Sequence, residues 1–526
     1  MFYRDRWLRQ LAATTSLLLV AGCGVLFSDS SDDGEPIVVG TTSSPSTLDP
    51  AASWDNSWEL FRNVYQTLLS HPPGAAGPEP DAAESCAFTG SHRTVYSCTL
   101  REGLTFSNGH ALDARAVKHS IDRIKDIDAA GGPAGLLGNL ARVWAKDDRE
   151  IVFHLDEPDA TFPLVLATPA MSLVDPADYP ADALRDDGAV TGSGPYELRA
   201  YDEGRQAELV GNDTYEGFAD RRNDAVTIRY FPDSAGMVDA LEAAEIDVTY
   251  RGLGAPDVVD LRSSHEEKGL RLIEHAGTEI SYLVFNPEDP WAGRAAVRKA
   301  VAQVVDRAAL AHKVYRDTVE PLYSMIPTGL AGHTTDYFDD FGEPSPAKAR
   351  RMLTDAGITE PVPLTLWYAT DRYGSRTGPA FEELERQLEA SGLFAITLQG
   401  RPWKTFVNGC QKGAYPVFGR GWFPDFPDAD NFVAPFVGER NALGTPYPVP
   451  EITSELLPAS RRETDRGEVA GQFERAQRIL AADARLLPLW QGKQYVAASQ
   501  EIGGGDRALD PSTIMVVWEL FRKTGW

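Results

Sequence analysis

Thr94-Val95-Tyr96-Ser97-Cys98-Thr99-Leu100 leads through Arg101-Glu102-Gly103-Leu104-Thr105-Phe106-Ser107-Asn108-Gly109 into Leu112-Asp113-Ala114-Arg115-Ala116-Val117 and Ser120-Ile121-Asp122-Arg123-Ile124-Lys125. The first run is rich in β-branched and aromatic residues and reads as a strand. Asp113 suits a helix N-cap, and Val117, Ile121 and Ile124 recur at i, i+4 and i+7, which makes one apolar face. Lys118, Asp122, Arg123 and Lys125 are expected to face water. A strand followed closely by an amphipathic helix excludes an all-α or an all-β chain. Ile37-Val38-Val39 and Ile151-Val152-Phe153-His154-Leu155 repeat the strand signal. Further helical stripes are expected from Ala295 to Tyr315 (Val297, Val301, Val304, Ala308), from Pro379 to Ser391 (Phe381, Leu384, Leu388), and around Phe473, Ile479 and Leu480.

The chain is 526 residues long, enough for about three compact units at ~150 residues each. With 43% apolar residues and 11 Trp it has the material for large cores, so a disordered chain is excluded. A formal charge of −27 argues against nucleic acid as a partner, because that binding depends on Lys and Arg neutralising phosphates.

At the start, Arg4, Arg6 and Arg9 precede an apolar stretch from Leu11 to Ala21, the layout of a secretory signal peptide. Such a stretch would rise roughly 17 Å, short of the ~30 Å needed to span a bilayer. Val20-Ala21-Gly22-Cys23 resembles a bacterial lipobox, so residues 1–22 are expected to be removed and Cys23 lipidated. Residues 23–35, small and charged, read as a tether. Export permits disulfides, and Cys86 with Cys98 is expected to form one. Zinc is the competing reading, but no second Cys pair and no His pair at ligand spacing lies nearby. Cys410 is expected to be a buried, inert thiol.

The sequence carries none of the common catalytic signatures. Gly192-Ser193-Gly194-Pro195 is not a nucleophile elbow, and His265-Glu266-Glu267 lacks a second His at i+4. Asp425, Asp428 and Asp430 lack the Gly and terminal Glu of a calcium loop. Paired carboxylates for glycoside hydrolysis need no sequence proximity, so a secreted hydrolase stays open as a reading of another class.

Several separated stretches, in order, resemble the family 5 extracytoplasmic solute-binding proteins of ABC importers. They are Thr47-Leu48-Asp49-Pro50 with Asn63-Val64-Tyr65-Gln66-Thr67-Leu68-Leu69, the block from Leu100 to Arg123, and Gly192-Ser193-Gly194-Pro195-Tyr196. Tyr282-Leu283-Val284-Phe285-Asn286, Val297-Arg298-Lys299-Ala300-Val301, Ala347 to Gly357, and Gly421-Trp422-Phe423-Pro424-Asp425 follow.

The resemblance implies an α/β fold of two hinged lobes, the periplasmic-binding-protein-like type, with an extra subdomain on the first. By analogy residues 36–71, 190–281 and 490–526 form lobe I, 72–189 its subdomain, and 282–489 lobe II. Strands near Ile280 to Asn286 and Leu489 to Val496 would cross between them, with Asn286 a candidate to steady the crossover. The implied role is a lipid-anchored peptide receptor outside the cell membrane, monomeric and non-catalytic, without cofactor or metal, delivering to an ABC permease and ATPase. A nickel chelate, opine or oligosaccharide is the alternative ligand.

The resemblance also implies that Asp425 takes the ligand's ammonium and that Arg372 or Arg420 takes its carboxylate. Trp422, Trp54, Asn56 and Trp403 are further expected contacts, while Trp58, Phe61 and Tyr65 suit a core helix face.

Overall fold

The computed structural model describes residues 35–523 apart from Ser53, so Cys23 and the expected signal peptide lie outside the described residues. The opening stretch folds as its pattern demands. Val95–Leu100 is a strand and Ala114–Ile127 a helix, with the Asp113 carboxylate accepting from the Arg115 and Ala116 backbone amides. Val117, Ile121 and Ile124 are buried. Val95–Leu100 sits in a four-stranded antiparallel sheet ordered Ala83–Phe88, Val95–Leu100, Glu150–Leu155, Leu140–Ala145. Cys86 and Cys98 face each other across its first two strands and are disulfide-bonded.

Arg123 does not face water. It is 2% exposed and grips Asp49 through Nη1 at 2.7 Å and Nη2 at 2.5 Å. A buried ion pair tolerates desolvation only when both oxygens are matched in this way, so the Thr47 to Pro50 turn is fixed onto the helix 74 residues later. The Gly-Ser-Gly-Pro-Tyr turn is similarly explained by contact. A Cβ on Gly192 would stand 2.0 Å from the Val64 carbonyl oxygen, which leaves room only for glycine.

A second, mixed sheet has eleven strands. From edge to edge these are Phe394–Arg401, Val362–Ala369, Val417–Trp422, Leu270–Phe285, Leu486–Ser499, Val248–Thr249, Ile37–Thr41, Ala225–Tyr230, Gln206–Gly211 and Tyr196–Asp202, with Val319–Pro321 also paired to Leu486–Ser499. Separate apolar cores flank its two halves. One contains Phe61, Phe106, Phe153 and Tyr196; the other contains Leu283, Phe285, Val297 and Leu384.

The antiparallel pair Leu270–Phe285 and Leu486–Ser499 belongs to both halves and slips register between Ala276 and Ile280. The slip therefore lies just before the stretch expected to cross, while Ile280 to Phe285 pairs throughout with Val417–Trp422. At the slip the backbones nearly touch: a Cβ on Gly277 would be 2.4 Å from the Gly492 carbonyl oxygen. Asn286 ends the first crossing strand, donating from Nδ2 to the Gly413 carbonyl at 2.8 Å and capping the turn at Glu288.

The long helix expected from Ala295 to Tyr315 is broken. It ends at Val304, Val305 is extended, and Asp306 caps a new turn by accepting from the Ala309 amide, which leaves Ala308 exposed. The helix at Thr377–Ala390 begins two residues earlier than expected, and Ala470–Asp483 buries Phe473 and Leu480 as expected.

Candidate ligand-binding cavity

Between the two halves lies a cavity of about 520 Å³, within the range of small-ligand sites. All seven expected contacts line it: Trp54, Asn56, Arg372, Trp403, Arg420, Trp422 and Asp425. Its walls come from three places. The segment around Trp54 and the helix Trp58–Val64 supply one side; Thr278 and Glu279, in the register slip, form the back. The strand Val417–Trp422, its following loop and the helix Trp403–Gln411 supply the other side.

Asp425 is held by neutral donors. Its Oδ1 accepts from Trp54 Nε1 at 2.5 Å and its Oδ2 from Asn431 Nδ2 at 2.8 Å. The Asn431 amide oxygen in turn accepts from the Asp425 backbone N–H and from Trp422 Nε1, so Trp422 orients the group that orients Asp425. Burial pushes the Asp425 carboxyl up to about 6, against the pull of the Asn431 and Trp54 hydrogen bonds.

The other two aspartates of the loop differ sharply. Asp428 is gripped through both oxygens by Arg466 (2.7 and 2.8 Å), and Asp430 likewise by Arg461 (2.8 Å each). Asp425 forms no ion pair among the described residues. Phe426, one position on, is buried in the first core, and the Arg461 carbonyl accepts from the Ala160 backbone N–H; the halves therefore touch beside the loop that carries Asp425.

On the opposite wall Trp403 begins its helix, its backbone N–H held by Asp371 Oδ1 at 2.7 Å. The guanidinium groups of Arg372 and Arg420 each lie 5.4 Å from its ring centroid, within cation–π range. Tyr373 meets the same ring edge-on at 5.9 Å. Arg420 springs from the middle of a strand, opposite Tyr282, and its Nε is buried without a hydrogen-bond partner.

Three ionic residues were not anticipated. Glu59 pairs with Arg251 Nε at 2.5 Å, and burial still pushes its carboxyl up to about 7. Glu279 is also pushed up to about 7 by burial, with Arg251 and Arg372 pulling the other way. Glu59 had one visible signal, a charge adjoining the apolar face of Trp58, Phe61 and Tyr65. Trp58 itself is buried as expected and also lines the cavity. Arg251 had no such signal.

Cys410 lies at the cavity floor, 1% exposed, its thiol pushed up to about 11 by burial, as an unreactive thiol should be. No group of three or more His, Cys, Asp or Glu side chains able to hold a metal occurs among the described residues. None of their helices is long and apolar enough to cross a membrane.

The model of the bacterial extracellular solute-binding proteins, family 5, matches residues 77–444. The chain is 26% identical over 510 residues to the "Probable D,D-dipeptide-binding periplasmic protein DdpA" of Escherichia coli K12, covering 93% of this chain and 95% of that one. It is 24% identical to a dipeptide-binding protein of Pseudomonas aeruginosa, covering 92% and 95%. Among solved structures, the periplasmic binding protein DppA of Helicobacter pylori in complex with the peptide STSA superposes with a TM-score of 0.78 at 21% identity, over 93% of this chain and 98% of that one. These likenesses bear out the two-lobed α/β fold.

Proposed function

Because the chain belongs to the bacterial extracellular solute-binding proteins of family 5, we propose that it captures short peptides between its lobes and delivers them to an ABC importer. The carrying observation is Asp425. Of three aspartates in one loop, two are neutralised by arginines, and the third is buried, uncompensated and turned to the cavity. A buried carboxylate in that state is completed by a cation, and a peptide's α-ammonium supplies one with hydrogen-bond donors. Arg372 and Arg420, beside Trp403 on the same lobe, supply the matching site for carboxylate. Trp54 and Asn56 close over the ligand from the other lobe.

Lobe I is assigned to residues 36–71, 190–281 and 490–526, its subdomain to 72–189, and lobe II to 282–489. Closure about the crossing pair then presents both lobes to the permease only when ligand holds them together. Lipidation at Cys23 would keep the chain at the outer face of the membrane as a monomer, and no chemical step is assigned to it.

Isothermal titration of the chain with di- to pentapeptides tests the reading. Binding that weakens at least a hundredfold in Asp425→Ala, with peptide recovered unchanged by mass spectrometry, is expected. No binding, or binding indifferent to Asp425, overturns it; cleaved peptide would point to a hydrolase.

A further inference from the structure

The two arginines beside Trp403 are more than one terminal carboxylate requires. This chain shows repeatedly how its arginines hold a carboxylate side-on: Arg461 and Arg466, for example, each use Nε together with Nη2, taking both oxygens of one aspartate. One such fork balances the whole charge of one carboxylate. Arg372 and Arg420 both reach the same indole ring at 5.4 Å, and neither forms an ion pair among the described residues. Arg420 presents the Nε that a side-on fork needs, buried and unsatisfied at the cavity wall. The groups that face Arg420 are Tyr373, Tyr282 and Cys410, none of them a carboxylate. A buried guanidinium N–H left without an acceptor, as this Nε is, is completed by an anion's oxygen.

We propose that the cavity is selective for peptides ending in an acidic residue, with Arg372 and Arg420 each forking one of that residue's two carboxylates across the Trp403 ring. The inference rests on the peptide reading above. A C-terminal glutamate carries its two carboxylates on one short flexible stem, which suits two forks converging on one ring. Glu279 is the carboxylate that opposes this arrangement. It faces Arg372 from the back wall, and burial already favours its neutral form, so a dianionic ligand end is accommodated by Glu279 taking up a proton.

The test is calorimetric titration of the full chain with Ala-Glu, its uncharged isostere Ala-Gln, and Ala-Ala. Ala-Glu is expected to bind at least tenfold tighter than Ala-Gln. Arg420→Gln and Arg372→Gln should each bring that ratio close to one, whereas Glu279→Gln, which removes the opposing carboxylate, should raise it. Equal affinities for Ala-Glu and Ala-Gln in the unaltered chain would overturn the inference and leave the peptide reading standing, since one carboxylate shared by both arginines predicts that result. A ratio untouched by either arginine change would overturn it as well. Binding of none of the three, nor of longer peptides, would remove the peptide reading and this inference together.

Discussion

At the residue scale the cavity turns on Asp425. An incoming ammonium prefers the ionised carboxylate, and the unliganded group titrates near 6. Affinity for peptides is therefore expected to be level above pH 6 and to fall about tenfold per unit below it. Titrations between pH 4.5 and 8 check this, and Asp425→Asn should bind weakly with a flattened profile. Stability runs in the opposite direction. Asp425, Glu59 and Glu279 all have folded-state values raised above their ordinary ones. The stability they contribute is present at low pH and is lost as pH rises through about 6 to 7. The unliganded chain should thus gain melting temperature from pH 7.5 to 5.5, less so in Glu279→Gln. Asp425, Trp422, Arg372 and Arg420 were legible because they sit in or beside recognisable stretches of sequence. Glu279 and Arg251 were not, because a charge outside any recognisable motif gains meaning only when burial brings a second charge against it.

At the scale of elements, the disulfide lies in the four-stranded sheet and the Asp113 cap on the helix packed against it, away from the cavity. Among the described residues none between positions 60 and 250 lines the cavity. Replacing both Cys86 and Cys98 by Ser is expected to cost about 3 kcal/mol of stability, on the chain-entropy estimate for a short loop. Peptide affinity should remain unchanged. Denaturant unfolding paired with calorimetry separates the two effects. Asp113→Ala should cost about 1 kcal/mol by the same measurement. The helix it starts was readable because a cap and an apolar stripe agree. The stretch from Ala295 to Tyr315 misleads for a physical reason: its apolar spacing persists, but Asp306 offers its side chain to a backbone amide and restarts the helix, rotating Ala308 into water. Arg123 misleads in another way, since its partner Asp49 lies 74 residues off and no local pattern announces the pair.

At the scale of the molecule the lobes are joined by the crossing pair, whose backbones leave no room for a side chain where Gly277 faces the Gly492 carbonyl. Gly277→Val should force them apart and hold the lobes at a different mean angle. Small-angle scattering is expected to show a smaller peptide-induced contraction than in the unaltered chain; an identical contraction would count against this pair as the pivot. Two lobes were legible from the order of the sequence blocks, but the slip at Ala276 to Ile280 was not, because register is decided by strands more than 200 residues apart. The eleven strands form one unbroken hydrogen-bonded ribbon from lobe to lobe. Opening therefore cannot proceed like a door on a loose pin; it must twist the ribbon, and a twisted sheet resists and recoils. Such a sheet acts as a torsion spring, and substitutions at Ala276 or Gly277, slip residues that do not line the cavity, are expected to tune how readily cargo is released without touching the walls that hold it.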